Sequence, residues 1–209
     1  MLVKICGITR ADDAAAAVAA GAAAVGFVFW PGSPRFIDPF RARKIGAGLP
    51  PFVTTVGVFV NQPLEYVNSV AKLVRLGAVQ LHGDETPEYA AAIVAPIIKA
   101  ISLDAEGEGR VAVWAAGTVL LLDVHDPVRH GGTGRTIDWS AAAGVAARRR
   151  VLLAGGLTPD NVADAVGRVR PFGIDVSSGV ERAPGIKDHQ RLRALFEALH
   201  DTSDIPARS

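Results

Sequence analysis

The chain of 209 residues has a single cysteine, Cys6. That excludes an internal disulfide and any zinc site built on cysteines, and it suits a reducing cytosol. Neither charge is in excess, since 22 Lys and Arg stand against 21 Asp and Glu. The basic residues are scattered apart from Arg148-Arg149-Arg150, so the electrostatic footprint of a nucleic-acid binder is missing. That triplet falls in a helix-to-strand connection and reads as a solvated corner. The uncharged stretch from Ala14 to Trp30 is neither leader nor membrane span. It follows Asp12 and Asp13, where a signal peptide carries positive charge, is rich in Ala and Gly, and turns strand-like at Val25-Gly26-Phe27-Val28-Phe29. A dinucleotide loop is also lacking: Gly131-Gly132-Thr133-Gly134 does not have the Gly-x-Gly-x-x-Gly form and reads as part of a lid from His125 to Arg135. Asp123, His125, Asp126 and His130 straddle a strand end and a loop without the spacing of familiar metal sites, so no metal is expected.

What is present is apolar material in short, regular pieces. Half the residues (49%) are hydrophobic and 21% are charged, enough to outweigh the entropy that keeps polar chains disordered. Runs rich in Val, Ile and Leu recur eight times: Leu2 to Cys6, Val25 to Phe29, Thr55 to Val60, Ala78 to His82, Ile97 to Ile101, Val119 to Asp123, Val151 to Ala154 and Phe172 to Val176. Helical stretches lie between them, and 209 residues over eight units is about 26 each, a workable βα repeat. Prolines in Asp38-Pro39, Gln62-Pro63, Thr86-Pro87 and Thr158-Pro159 mark helix starts, where a missing N–H costs nothing. Thr9 and Asp12 predict a capping box for the first helix. The fifth helix is predicted short and poor, around Arg110 to Ala116, because Gly107, Gly109 and Gly117 interrupt it. No linker divides the chain, and residues from about 201 form a polar tail.

Alternation at this rhythm implies a parallel sheet whose apolar strands are covered on both faces. An open doubly wound sheet shows the same alternation, but eight units favour a closed single-domain (β/α)8 TIM barrel over residues 1–209. Such barrels place chemistry at the C-terminal ends of their strands. Those ends hold Cys6, Arg35, Gln80 with His82, Asp123, Gly155-Gly156, and Asp175 with Ser177-Ser178-Gly179. Functional groups thus converge on one rim, the pattern of an enzyme pocket.

Each position has a plainer reading beside the functional one. Gly155, Gly156, Ser178 and Gly179 leave backbone N–H groups open to an anion, or simply turn the chain. Cys6 is a buried small hydrophobe or, at the rim before a glycine, a reactive thiol. Asp123 ends the run Leu120-Leu121-Leu122, where an ionised carboxylate is costly unless paired; it is an acid with raised pKa or a carboxylate satisfied by the next loop. Arg35 offers a planar clamp for a carboxylate or makes a surface ion pair. His82 is an acid, a base or a satisfied polar group beside Gln80.

Together these motifs resemble the phosphoribosylanthranilate isomerases. The resemblance runs from Lys4 to about Asp188 through KICGITR, GFVFWPGSPRFI, VGVFVN, VQLHGDE, LLLD with GGTG and IDW, LAGGLTPDNV and DVSSGVERAPGIKD, in family order. It implies an Amadori rearrangement of N-(5'-phosphoribosyl)anthranilate to the aminoketose phosphate, within tryptophan biosynthesis. It implies Cys6 as general base and Asp123 as general acid. Arg35 takes the anthranilate carboxylate; Gly155, Gly156, Ser178 and Gly179 take the phosphate; Gln80, His82 and Asp175 line the pocket. The reaction is redox-neutral, so no cofactor is expected. Lowering the Cys6 pKa needs positive potential, from Lys4, the helix ends at the phosphate site or another strand-end group, and raising that of Asp123 needs apolar shielding. The expected state is a cytoplasmic monomer or homodimer with a small-molecule substrate and no membrane partner. The rivals are another sugar-phosphate barrel enzyme and a noncatalytic barrel that binds a phosphate ligand.

Overall fold

A computed structural model of the chain describes residues 1–103, 107–123 and 138–201. The expected lid from His125 to Arg135 and its Gly131-Gly132-Thr133-Gly134 lie outside these residues. The first half of the chain runs β1 (Leu2–Ile5), α1 (Ala11–Ala20), β2 (Ala24–Val28), α2 (Pro39–Ala47), β3 (Thr54–Phe59), α3 (Leu64–Val74), β4 (Ala78–Leu81) and α4 (Pro87–Ala91). The second half runs β5 (Ile97–Ser102), α5 (Gly107–Ala112), β6 (Val119–Asp123), α6 (Trp139–Ala146), β7 (Val151–Leu153), α7 (Val162–Val169) and β8 (Gly173–Val176). A short hairpin of β9 (Glu181–Ala183) and β10 (Ile186–Lys187) then leads into α8 (His189–Asp201). The eight strands pair in parallel and in sequence order, and β8 returns to β1 with Lys4 opposite Asp175, so the sheet closes. All eight predicted strands are present. Among the described residues no helix is long and apolar enough to cross a membrane.

Two apolar layers build the barrel. The larger lies between sheet and helices and includes Phe27, Phe29, Leu81, Leu120, Leu122 and Leu153, all fully buried. Each such side chain contributes about 1.5–3 kcal/mol relative to exposure. Inside the barrel are smaller clusters: Cys6 with Val28 and Val58, Ala24 with Val56 and Ala78, and Leu121 with Leu152 and Ala154. Successive strand residues face opposite sides. The alternation that turns Leu120 and Leu122 toward the helices therefore turns Leu121 and Asp123 inward.

Local signals hold where no tertiary contact competes with them. Asp38 caps α2 by accepting from Phe40 and Arg41 N–H, with Pro39 at the first helical position. Thr86 caps α4 in the same manner, ahead of Pro87. The predicted Thr9–Asp12 box does not form. Arg10 is the N-cap without a side-chain bond, Thr9 donates to Gly185 O at 2.5 Å, and Asp12 is exposed. The hairpin takes the hydroxyl, and the buried neighbour Asp13 accepts from Lys187 N–H at 3.0 Å and pairs with His189 Nε2 at 2.9 Å. Two prolines sit ahead of their helices. Pro63 is itself the N-cap of α3. Pro159 lies in a turn before α7, in which the Asn161 side chain accepts from Thr158 N–H and donates to Gly156 O. Helix α5 is short, as predicted, but starts at Gly107 and ends at Ala112. The arginine triplet is not wholly a solvated corner, because Arg149 donates to the carbonyls of Val111, Trp114 and Ala115 and ties α5 to the end of α6.

Candidate active site

The inward alternation of β1, β4, β6 and β8 delivers the polar side chains of the mouth. Cys6 stands one residue beyond β1, its N–H extending the ladder to Val176 O at 2.9 Å. His82 stands one residue beyond β4, bonded likewise to Phe59 O at 2.8 Å. Asp123 ends β6, and Gln80 and Asp175 lie inside β4 and β8.

Cys6 is buried at 8% exposure, and Lys4 below it is fully buried. Lys4 Nζ lies 2.8 Å from Asp175 Oδ1. Asp175 is therefore not a free rim carboxylate but the partner of a lysine inside the barrel. Gly26 makes the space: a Cβ there would lie 2.8 Å from Cys6 Sγ and 3.1 Å from Lys4 Cε. The expected positive potential at Cys6 is present, from Lys4 and Lys187, yet the pKa moves opposite to expectation. Burial pushes the thiol above its ordinary value, against the pull of Lys4, and Asp175 adds to the rise. The Lys4 pKa is raised: burial lowers it, but the neighbouring Asp175 carboxylate and Cys6 together outweigh that desolvation.

Arg35 makes neither a surface ion pair nor a solitary clamp. At 9% exposure, its Nε and Nη2 meet Glu181 in a bidentate arrangement at 2.7–3.1 Å. Glu181 also accepts from Lys187 Nζ at 2.8 Å and from Gly185 N–H at 3.2 Å. Lys187 in turn donates to Cys6 O at 2.5 Å and Ser177 O at 3.1 Å. Burial lowers the Lys187 pKa against the pull of Glu181. This web binds the β9–β10 hairpin across the ends of β1, β2 and β8. Gly7, with φ +75°, lets Arg35 cross the first loop; a Cβ would lie 2.6 Å from Arg35 Cδ. Nη1 of Arg35 takes no protein partner among the described residues, leaving one edge of the guanidinium for a ligand.

On the opposite side Gln80 Nε2 lies 2.9 Å from His82 Nδ1, and His82 Nε2 lies 3.5 Å from Asp123 Oδ2. A Gln80 amide donating to Nδ1 leaves the ring proton of neutral His82 on Nε2, facing Asp123. Asp123 is 9% exposed at the end of a leucine run that is completely buried. Among the described residues, Gln80 Oε1, Ser102 Oγ and Ser177 Oγ are buried without a hydrogen-bond partner, acceptors and donors that a polar ligand in the mouth can satisfy.

The two expected anion loops touch. Gly155 and Gly156 have φ of +85° and +65°, a left-handed pair that glycine adopts without penalty. A Cβ on Gly179 would lie 1.8 Å from Leu157 O, so the loop after β8 packs directly on the loop after β7. Among the described residues no protein acceptor meets the N–H of Gly155, Gly156, Ser178 or Gly179. Open N–H groups from two abutting loops form an anion cradle. No group of three His, Cys, Asp or Glu among the described residues is placed to hold a metal ion.

A family model described as N-(5'-phosphoribosyl)anthranilate (PRA) isomerase matches residues 3–198. The chain belongs to this family. The N-(5'-phosphoribosyl)anthranilate isomerase of Pelobacter propionicus is 48% identical over 206 residues, 99% of either chain. The crystal structure of phosphoribosyl anthranilate isomerase from Thermus thermophilus superposes with a TM-score of 0.88 at 46% identity, covering 96% of this chain and 99% of that one. Another structure of the enzyme, in complex with reduced 1-(o-carboxyphenylamino)-1-deoxyribulose 5-phosphate, gives a TM-score of 0.85 at 43% identity over 96% and 100% of the two chains. The activity of a phosphoribosylanthranilate isomerase is thus this chain's activity: an aldose–ketose isomerisation in tryptophan biosynthesis. Within the family site, Glu181 and Lys187 were not singled out from sequence, although both stand in DVSSGVERAPGIKD. The available signal was two charges of opposite sign in a short segment after the last strand.

Proposed function

We propose that Cys6 is the general base and Asp123 the general acid of this isomerisation. The observation that carries the assignment is that thiol and carboxylate end inward-facing positions of β1 and β6 at one mouth, between a half-free guanidinium and an anion cradle. Asp123 gives its proton to the furanose ring oxygen, the bond from that oxygen to C1 breaks, and the anilino nitrogen lone pair forms the iminium. The Cys6 thiolate then takes the proton from C2, and the released electron pair makes the enolamine. The enol loses its O–H proton as C1 gains one, giving the ketone. C2 is oxidised and C1 reduced, so no external electrons are consumed.

Substrate contacts follow from the same surroundings. Arg35 binds the anthranilate carboxylate with the edge that Glu181 leaves open, and Gly155, Gly156, Ser178 and Gly179 bind the phosphate through backbone N–H groups. Gln80 and His82 line the sugar side, and Asp175 acts from beneath through Lys4. Residues 1–209 act as one barrel domain, cytoplasmic, as a monomer or homodimer.

The test is turnover of freshly generated phosphoribosylanthranilate, followed by loss of anthranilate fluorescence. Cys6→Ser and Asp123→Asn are each expected to lower kcat by about 10²–10⁴-fold, the usual contribution of a positioned acid or base. A variant that keeps wild-type kcat removes its residue from the mechanism.

A further inference from the structure

Lys4 is completely buried, and no proton transfer above goes to or from it. Packing does not account for it. A buried ion pair such as Lys4–Asp175 is on average no more stabilising than apolar residues of the same volume, because both charges are desolvated. Its position is informative instead. β1 and β2 run in register with Lys4 opposite Ala24 and Ile5 opposite Val25, which brings Gly26 beside Cys6. A Cβ on Gly26 would touch both Cys6 Sγ and Lys4 Cε, so the thiol and the lysine stem converge over one glycine.

The charged groups facing Cys6 are few. Its own strand supplies Lys4 and β8 supplies Asp175; β10 supplies Lys187; across Gly7 stands Arg35 with Glu181; β2 presents only Gly26. Lys187 has three N–H groups and three acceptors, Cys6 O, Ser177 O and Glu181 Oε1. Its ammonium is fully committed. Lys4 has one carboxylate acceptor, at 2.8 Å, which leaves N–H capacity for the neighbouring sulfur, and both its charge and a hydrogen bond favour the ionised thiol.

We propose that Lys4 is the positioning residue of the base: its ammonium, held by Asp175, stabilises the Cys6 thiolate, and Asp175 limits how far. The proposal rests on the assignment of Cys6 as base. It explains why a lysine–aspartate pair lies inside the barrel directly under the reacting thiol. When Cys6 is a thiol, Asp175 neutralises Lys4; when Cys6 is a thiolate, the same ammonium is shared between two anions.

The experiment is a pH titration of the thiolate by its ultraviolet absorbance in the full-length protein, as a difference against Cys6→Ser. The readout is unambiguous because Cys6 is the only cysteine, and it needs neither substrate nor turnover. Lys4→Met is expected to move the midpoint up by about one pH unit or more, the usual effect of an adjacent opposite charge. Asp175→Asn is expected to move it down. A Lys4→Met midpoint equal to wild type, with native circular dichroism, overturns the proposal. If Lys4→Met does not fold, the double variant Lys4→Met/Asp175→Asn, which buries no unpaired charge, is compared with Asp175→Asn. A higher midpoint in the double variant supports Lys4, and an equal one overturns it. Full turnover by Cys6→Ser would sink the assignment of the base while leaving the measured coupling intact, so the two failures are distinguishable.

Discussion

The two sides of the barrel mouth are built differently. Around β8, β1 and β2 the side chains are locked in buried ion pairs, Lys4 with Asp175 and Glu181 with both Arg35 and Lys187. Around β4 and β6 the inward-facing side chains form a chain of Gln80, His82 and Asp123 whose last contact is 3.5 Å, and a buried ion pair, Lys99 with Glu85, ties β5 to the loop after β4. The inner face on the Cys6 side is thus organised by buried ion pairs, and the inner face on the Asp123 side centres on a hydrogen-bonded imidazole.

Among the groups that set this contrast, Arg35→Met should have the largest effect. It removes a proposed substrate contact and leaves Glu181 with one fewer buried cation, so KM should rise about a hundredfold and stability fall by about 3–5 kcal/mol, the usual result of breaking a buried pair. Steady-state kinetics and urea unfolding check both; unchanged stability would mean the web on this side is not stiff. Glu181→Gln keeps the shape but weakens the bidentate hold. KM should rise about tenfold with kcat within a few-fold, since only positioning is lost, and an unchanged KM would show that Arg35 orients itself. On the other side, His82→Asn should lower kcat by no more than about tenfold and leave the melting temperature within a few degrees. A loss of stability as large as that of Arg35→Met would erase the contrast between the two sides.

The smallest effect is on pH stability, and it is read at the two buried groups beneath the mouth, Lys4 and Cys6. The folded-state pKa values of Lys4 and Cys6 both lie above their ordinary values. The folded protein therefore holds protons that the unfolded chain has already released, so this contribution is complete at neutral pH and is lost as pH rises above about 9. The melting temperature should fall with rising alkaline pH more steeply for wild type than for Lys4→Met/Asp175→Asn. Parallel curves would count against it.

Much of this is legible in the amino-acid sequence alone. Eight Val, Ile and Leu runs at a steady spacing mark eight strands because a strand covered on both faces is apolar throughout. Asp38-Pro39 and Thr86-Pro87 mark helix starts because the capping carboxylate or hydroxyl and the ring act locally. Thr9, Asp12 and Thr158-Pro159 misled for the complementary reason. Their hydroxyl or amide partners were supplied by a residue distant in sequence or by a different side chain, Gly185 for Thr9 and Asn161 for Thr158. The same limit applies to the site. Cys6, Asp123 and the glycine pairs announce themselves at strand ends, but that Arg35 meets Glu181 146 positions away, or that Lys4 meets Asp175 across 171, follows only from closure of β8 onto β1.

The amino-acid sequence by itself determined the number and order of the βα units, the rim on which chemistry collects, and which residues can give or take a proton, since these depend on local pattern and residue type. Only the tertiary structure decided the electrostatics. Whether a thiol feels a lysine, and whether burial outweighs that lysine, depends on distances across the barrel and on exclusion of water, neither of which any single segment encodes.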